Sequence, residues 1–91
     1  MALVATDLSF IAGGGVGAPR FWSYVTTDAK TVVDTSGYFN TFASQMNVGD
    51  FIFSRCSKGG SETYGVFVVL TNSAGVVDVG DLVSFQTANT D

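Results

Sequence analysis

The fold is indicated most clearly by one stretch, TYGVFVVLT at residues 63–71. It is rich in β-branched and aromatic residues, which favour extended backbone on a pleated surface. Its apolar residues are nearly continuous, a pattern that indicates burial on both faces or a central position in a sheet. We therefore predict that this stretch is a strand in the middle of a β-sheet.

Shorter stretches of similar composition lie on both sides, and each is bounded by turn residues. The predicted extended segments are 21–26, 31–34, 51–56, 76–79 and 82–85. Several short strands separated by regular turns are typical of small closed or two-layered β folds. The sequence thus predicts a mainly all-β protein, a small antiparallel β-barrel or sandwich built from successive hairpins.

One short helix is predicted around residues 38–47. Its apolar side chains recur at helical spacing; they are Phe39, Phe42, Ala43 and Met46. A helix of this length depends on tertiary packing for its stability. We therefore interpret this apolar stripe as core contact.

Residues 1–20 differ in composition from the rest of the chain. Residues 1–12 are mildly apolar and are followed by the glycine-rich run GGGVG at residues 13–17 and by Pro19. Glycine leaves the backbone unrestrained, so the run indicates a flexible connector outside any regular element. We predict a flexible N-terminal arm at residues 1–20, either docking on a neighbour or fraying, and a single β-rich domain at residues 21–91 with a polar tail after residue 85.

The composition indicates that part of the surface is covered by other subunits. The chain is 46% hydrophobic and only 13% charged, with a net charge of −4, whereas soluble domains carry about 25% charged residues. Exposed apolar area of this kind marks interaction surfaces, so a homo-oligomer or a component of an assembly is expected. The four scattered Lys and Arg residues form no cluster that could neutralise a phosphate backbone, which argues against nucleic-acid binding.

The residues that carry most enzymatic chemistry are scarce. The sequence contains no histidine and one cysteine, Cys56, so a zinc site and an activated thiol are not expected. The glycine-rich run lacks the Lys-Ser/Thr context of a phosphate-binding loop. Asp50 and Asp81 follow glycine and are interpreted as turn residues, and Asp78 with Asp81 is a remote candidate for a catalytic carboxylate pair. We predict no enzymatic activity, no cofactor and no metal.

The apolar stretches are also too short for a membrane span, which needs about 18 residues. Residues 1–8 lack the basic region of a signal peptide. We therefore expect synthesis in a cytoplasm and no membrane association.

Aromatic residues near the arm are the candidates for binding. Alternation along a strand places Trp22 and Tyr24 on one face, where such rings usually fill a core or a subunit contact. Phe21, Trp22 and Tyr24 also suggest a platform for stacking a sugar or a base, and Trp22, Tyr24 and Tyr38 are the candidates for binding a carbohydrate or a receptor. The candidate interaction residues are Phe10, Ile11, Phe21, Trp22 and Tyr24.

Several motifs together resemble small virion proteins of tailed bacteriophages. They are FWSYVTTD at 21–28, TVVDTSGYFN at 31–40, VGDFI at 48–52, YGVFVV at 64–69 and GVVDV at 75–79. The resemblance covers residues 21–85 and implies a non-enzymatic structural role in the virion. It favours a homotrimeric capsid decoration (cement) protein that binds the major capsid protein or another virion protein on the assembled head. A fibre, tail or neck component and a carbohydrate- or receptor-binding module are the alternatives.

Overall fold

The structure, a computed structural model, describes residues 7–13 and 19–85. Within these ranges the chain forms one six-stranded sheet with the order β1-β2-β3-β4-β5, and β6 pairs with β4. The strands are β1 (Leu8–Ala12), β2 (Phe21–Val25), β3 (Phe51–Cys56), β4 (Thr63–Ser73), β5 (Val76–Val79) and β6 (Val83–Ser84). The mainly β prediction and the central position of β4 are confirmed, but the sheet is open and does not close into a barrel.

Strand pairing differs from a series of hairpins at one place. Strands β2 and β3 are parallel, with Phe21 opposite Phe51 and Trp22 opposite Ile52, whereas the other pairs are antiparallel. Parallel neighbours need a crossover of a dozen or more residues. Residues 26–50, called the covering segment below, provide it and pack on one side of the sheet. The prediction of successive antiparallel hairpins was therefore wrong here.

The predicted N-terminal arm contains a strand of the sheet. Strand β1 runs antiparallel to β2, with Leu8 opposite Tyr24 and a bulge between Phe10 and Ala12. Because the edge of β2 offers unpaired backbone groups and Leu8 gains burial there, pairing outweighs the freedom of an arm. The prediction of a flexible arm was wrong for this part, whereas residues 1–6, residues 14–18 and the tail at 86–91 lie outside the described residues.

The helical prediction also needs correction. The α-helical turn α1 lies at Lys30–Val33, where an extended segment was expected, and the region 38–47 contains only a 3₁₀ helix at Asn40–Phe42. The backbone amides of Phe42, Ala43 and Gln45 bond to carbonyls three residues earlier, which is the 3₁₀ and turn pattern. The end of the region is held by β4, since Asn72 Nδ2 donates to the carbonyl oxygens of Ala43 and Met46, both at 2.6 Å. The apolar stripe still enters the core as predicted.

The core lies between the covering segment and one face of the sheet, called the inner face. Its buried members on the sheet are Leu8, Trp22, Tyr24, Ile52, Cys56, Phe67, Val69, Val77 and Val79. The covering segment contributes Val33, Phe39 and Met46. The ring centroids of Tyr24 and Phe39 are 5.6 Å apart with an edge-to-face orientation, the geometry that aromatic pairs favour.

Strand β6 approaches β4 closely at a glycine. A Cβ atom added to Gly65 would overlap the carbonyl oxygen of Val83 and lie 2.9 Å from Cγ of Leu82. Only a residue without a side chain permits this approach.

In the described part of the chain, no helix has the length and hydropathy needed to cross a membrane.

Candidate interaction surface

The opposite face of the sheet, called the outer face, is apolar and open. Its residues alternate with those of the core; they are Phe21, Ser23, Val25, Phe51, Phe53, Arg55, Tyr64, Val66, Val68, Val83 and Phe85. Phe53, Val83 and Phe85 are 39%, 58% and 50% exposed. The described residues therefore leave this face largely uncovered, in contrast to the inner face.

Aromatic and branched side chains form a continuous surface on the outer face. Phe21 stacks on Phe51 with ring centroids 5.7 Å apart and planes 10° apart, and Phe53 lies 5.9 Å from Phe21. Phe53 is opposite Val66, which is opposite Val83 on β6. Such cross-strand pairs are the units that stabilise a sheet, and here they also produce an apolar row that spans three strands.

A shallow depression of about 450 Å³ lies at one end of the outer face. Its walls include Phe53, Tyr64, Phe85, Arg55 and Lys58. The depression therefore combines aromatic rings with two cationic side chains.

One ion pair joins two of the three charged side chains at this end of the outer face, which are Arg55, Lys58 and Glu62. Arg55 donates to both carboxylate oxygens of Glu62, and its Nη2 lies 3.1 Å from Oε2. Hydrogen bonding from Arg55 lowers the pKa of Glu62 to about 2, with further bonds from the amide of Gly59 and the hydroxyl of Tyr64. The same bond raises the pKa of Arg55, so both groups stay charged near neutral pH.

The five predicted interaction residues do not share one surface. Phe21 lies on the outer face, and Ile11 is exposed on β1. Phe10 is exposed at the edge of the inner side, where its ring meets Trp22 at 5.3 Å. Trp22 and Tyr24 are 4% and 2% exposed, so the prediction that they contact a partner directly was wrong. The reason is their place under the covering segment.

The suggested sugar-stacking platform is likewise occupied by internal contacts. The hydroxyl oxygens of Tyr24 and Tyr38 are 2.7 Å apart, and Tyr38 donates to Oδ2 of Asp28 at 2.7 Å. Burial raises the pKa of Tyr38, and its bonds with Tyr24 and Asp28 act in the same direction. These groups hold the covering segment on the sheet, and the rings of Trp22 and Tyr24 have no open face for a sugar.

Asp50 is a second polar anchor of the covering segment. The sequence indicated only that Asp50 is a turn residue. Its carboxylate is fully buried and accepts hydrogen bonds from Trp22 Nε1 at 3.2 Å and the Asn47 amide at 2.9 Å. Both the backbone amide and Nη2 of Arg20 also donate to it, each at 3.3 Å. Asp50 therefore joins the entry to β2 to the end of the covering segment.

A groove of about 460 Å³ lies beside this anchor. The Arg20 guanidinium carbon is 5.6 Å from the Phe10 ring centroid and 5.7 Å from that of Trp22, within the range of a cation–π contact. The polar residues that line the groove are Ser44, Gln45 and Asn47. Because Asp50 already neutralises Arg20, we assign this arrangement a structural role.

The described residues contain no cluster of three or more His, Cys, Asp or Glu side chains that could hold a metal ion. Burial raises the pKa of the Cys56 thiol, which keeps it protonated and unreactive. The pKa of Asp34 is also raised, first by burial and then by the neighbouring carboxylates Asp81 and Asp78. The folded chain therefore disfavours the charged form of the Asp34 carboxylate.

Comparisons with protein-family models, with curated proteins and with solved structures found no match. The resemblance to phage virion proteins therefore remains a prediction. Among the described residues, the outer face is the feature from which a function can be inferred.

Most of the outer face was missed from the sequence, although a signal was present. The run at 63–71 was interpreted as a strand with apolar side chains on both faces or at the centre of a sheet. Phe51 and Phe53 alternate with the buried Ile52 in the same way. Two apolar faces with only one short segment to cover them would have indicated an open face.

Proposed function

We propose that this chain is a non-enzymatic structural protein of a tailed-phage particle, and specifically a capsid decoration (cement) protein of the assembled head. The observation that supports the proposal is the open outer face, with Phe53 and Phe85 among its exposed rings. Contiguous exposed apolar surface of this extent usually marks a surface for association. The motif resemblance at residues 21–85 supplies the virion context.

The contacts of the polar side chains and of Cys56 also support a structural role. The buried carboxylates of Asp28 and Asp50 and the half-buried hydroxyl of Tyr38 are occupied by hydrogen bonds that fasten the covering segment. Cys56 is buried with a raised pKa, and the sequence offers no histidine as a base. These features suit a rigid module that presents a surface.

The test is co-sedimentation of the purified protein with assembled empty shells and, separately, with unassembled capsid protein. A decoration protein binds the shells and not the free subunits, because its binding surface is created by the lattice. Phe53→Ser should weaken shell binding, whereas Val48→Ser, a change at an apolar side chain that is 63% exposed outside the sheet, should not. Equal binding to shells and subunits would contradict the proposal, and stable self-association without shell binding would favour a fibre, tail or neck component.

A further inference from the structure

We propose that the outer face is closed by a second copy of this chain, with the two sheets packed face to face about a two-fold axis. The inference rests on the proposed function, since it names the first partner of an assembly protein: the dimer is the form that binds the shell, and Phe53→Ser weakens shell binding because it weakens the dimer. It assigns Phe53, Val66 and Phe85 to the centre of the contact and leaves Trp22 and Tyr24 in the core of each copy.

The open area is sufficient for such a contact. Phe53, Tyr64, Val83 and Phe85 are about half exposed, and aromatic side chains each offer about 150–250 Å². When the partly exposed residues of the outer face are added, this face presents on the order of 500 Å² of apolar surface. Two copies would bury about 1,000 Å², the lower limit for a specific protein interface.

The charge distribution favours a second copy over a charged partner. Arg55 is the one charged residue of the outer face as defined above, and it is paired with Glu62. Asp28 and Asp50 are buried elsewhere. Lys58 lies in the loop at one end of the face. Two chains of net charge −4 can therefore meet without placing unpaired like charges at the centre of the contact, whereas a nucleic acid or a strongly charged protein would find no unpaired charge at that centre.

The shape of the outer face is compatible with sheet-on-sheet packing. Stacked sheets lie about 10 Å apart with their side chains interdigitated, and a sheet that is apolar on both faces needs a layer on each side. The row Phe53–Val66–Val83 alternates a large ring with smaller branched side chains. In a two-fold contact the same patch serves both partners, so large groups of one copy can meet small groups of the other.

The mass of the wild-type protein should be measured by light scattering over a dilution series from about 100 μM to about 1 μM, the range where small interfaces dissociate. We expect the mass of two chains to fall toward that of one. Phe53→Ser should weaken self-association about 30-fold, as loss of a central contact residue does. Val48→Ser is the matched control and should leave the dimer unchanged.

Folding of each variant is verified by near-ultraviolet circular dichroism. If Phe53→Ser is unfolded, Phe85→Ser replaces it, because Phe85 follows the last residue of β6 and is half exposed. Raising the salt concentration from about 0.05 M to about 0.5 M should strengthen self-association, because it screens the repulsion between two acidic chains.

A mass of one chain at all concentrations, a mass of three chains, or a dimer unaffected by both outer-face variants would overturn this inference. A monomer that still binds assembled shells would overturn the second-copy contact and leave the proposed function standing. A dimer that requires Phe53 but binds no shell would support the contact and contradict the proposed function.

Discussion

The two faces of the sheet carry similar side chains but have different surroundings. The inner face places Trp22, Ile52 and Phe67 beneath the covering segment, where they are almost fully buried. The outer face places Phe21 and Phe53 on the same strands without a comparable cover. Apolar character therefore does not decide which face becomes the core of the chain. The path of the crossover between β2 and β3 decides it.

Polar contacts reinforce this difference. On the inner side, the Asp50–Trp22 and Tyr38–Tyr24 hydrogen bonds tie the covering segment to β2. Asp28 accepts a further hydrogen bond from Tyr38 within the covering segment. On the outer side, the polar contact described above is the Arg55–Glu62 pair. Buried and satisfied polar networks specify one arrangement, whereas an apolar face with few polar contacts remains available to a partner.

The largest expected effect is a difference between two phenylalanine variants on adjacent paired strands. Phe67→Ala on the inner face should lower the free energy of unfolding by about 3–5 kcal/mol, because it removes a fully buried ring and leaves a cavity. Phe53→Ala on the outer face should cost about 1 kcal/mol or less in dilute protein. Urea denaturation monitored by Trp22 fluorescence provides both values, and equal costs would contradict the assignment of the two faces.

A second effect concerns the anchor of the covering segment. Asp50→Ala should lower the free energy of unfolding by about 2–4 kcal/mol, because the Trp22 Nε1–H and Asn47 N–H donors lose their acceptor. Thermal unfolding measures the change, with Asp7→Ala at an exposed position as the control. A loss no greater than in the control would show that the Asp50 hydrogen bonds contribute little to holding the inner face closed.

A third effect links the two faces through β6. Gly65→Ala should cost about 1–3 kcal/mol, because the new methyl group overlaps the backbone of Val83 and displaces the strand. Amide exchange at Phe85, whose N–H donates to the Tyr64 carbonyl at 2.7 Å, should accelerate. Exchange in β2 should change little, and unchanged protection at Phe85 would contradict the close approach.

The smallest effect is the pH dependence that Glu62 contributes. Because the pKa of Glu62 falls from its ordinary value of 4.5 to about 2 on folding, its stabilising contribution is present above pH 4.5 and is lost as the pH decreases toward 2. The difference in Tm between wild type and Glu62→Gln should therefore be largest above about pH 5 and vanish near pH 2. A difference that stays constant over this interval would rule out the Arg55–Glu62 bond as its source.

Much of the fold could be predicted because its signals are local. Strands β2, β3 and β5 lie within or at the segments predicted from their β-branched and aromatic residues. The helix at 38–47 could not be located correctly, since the partners of its backbone carbonyls include Asn72 from β4. The parallel pairing of β2 with β3 also depends on contacts distant in sequence.

The interaction surface was predictable only in part. Phe21 was identified as a candidate, but Trp22 and Tyr24 were grouped with it, although alternation places neighbours on opposite faces. Which face is open depends on the side taken by the covering segment, and no single strand contains that information. The two apolar faces could be inferred from the sequence, whereas the choice between them required the topology.

The most direct test of the central claim is hydroxyl-radical footprinting of the wild-type protein across a dilution series. We predict that oxidation of Phe53, Tyr64 and Phe85 rises in parallel as the protein is diluted and the outer face becomes exposed. Phe10, which is exposed outside that face, should be oxidised equally at every concentration. Oxidation of the outer-face rings that is high and independent of concentration would contradict closure of this face by a second copy.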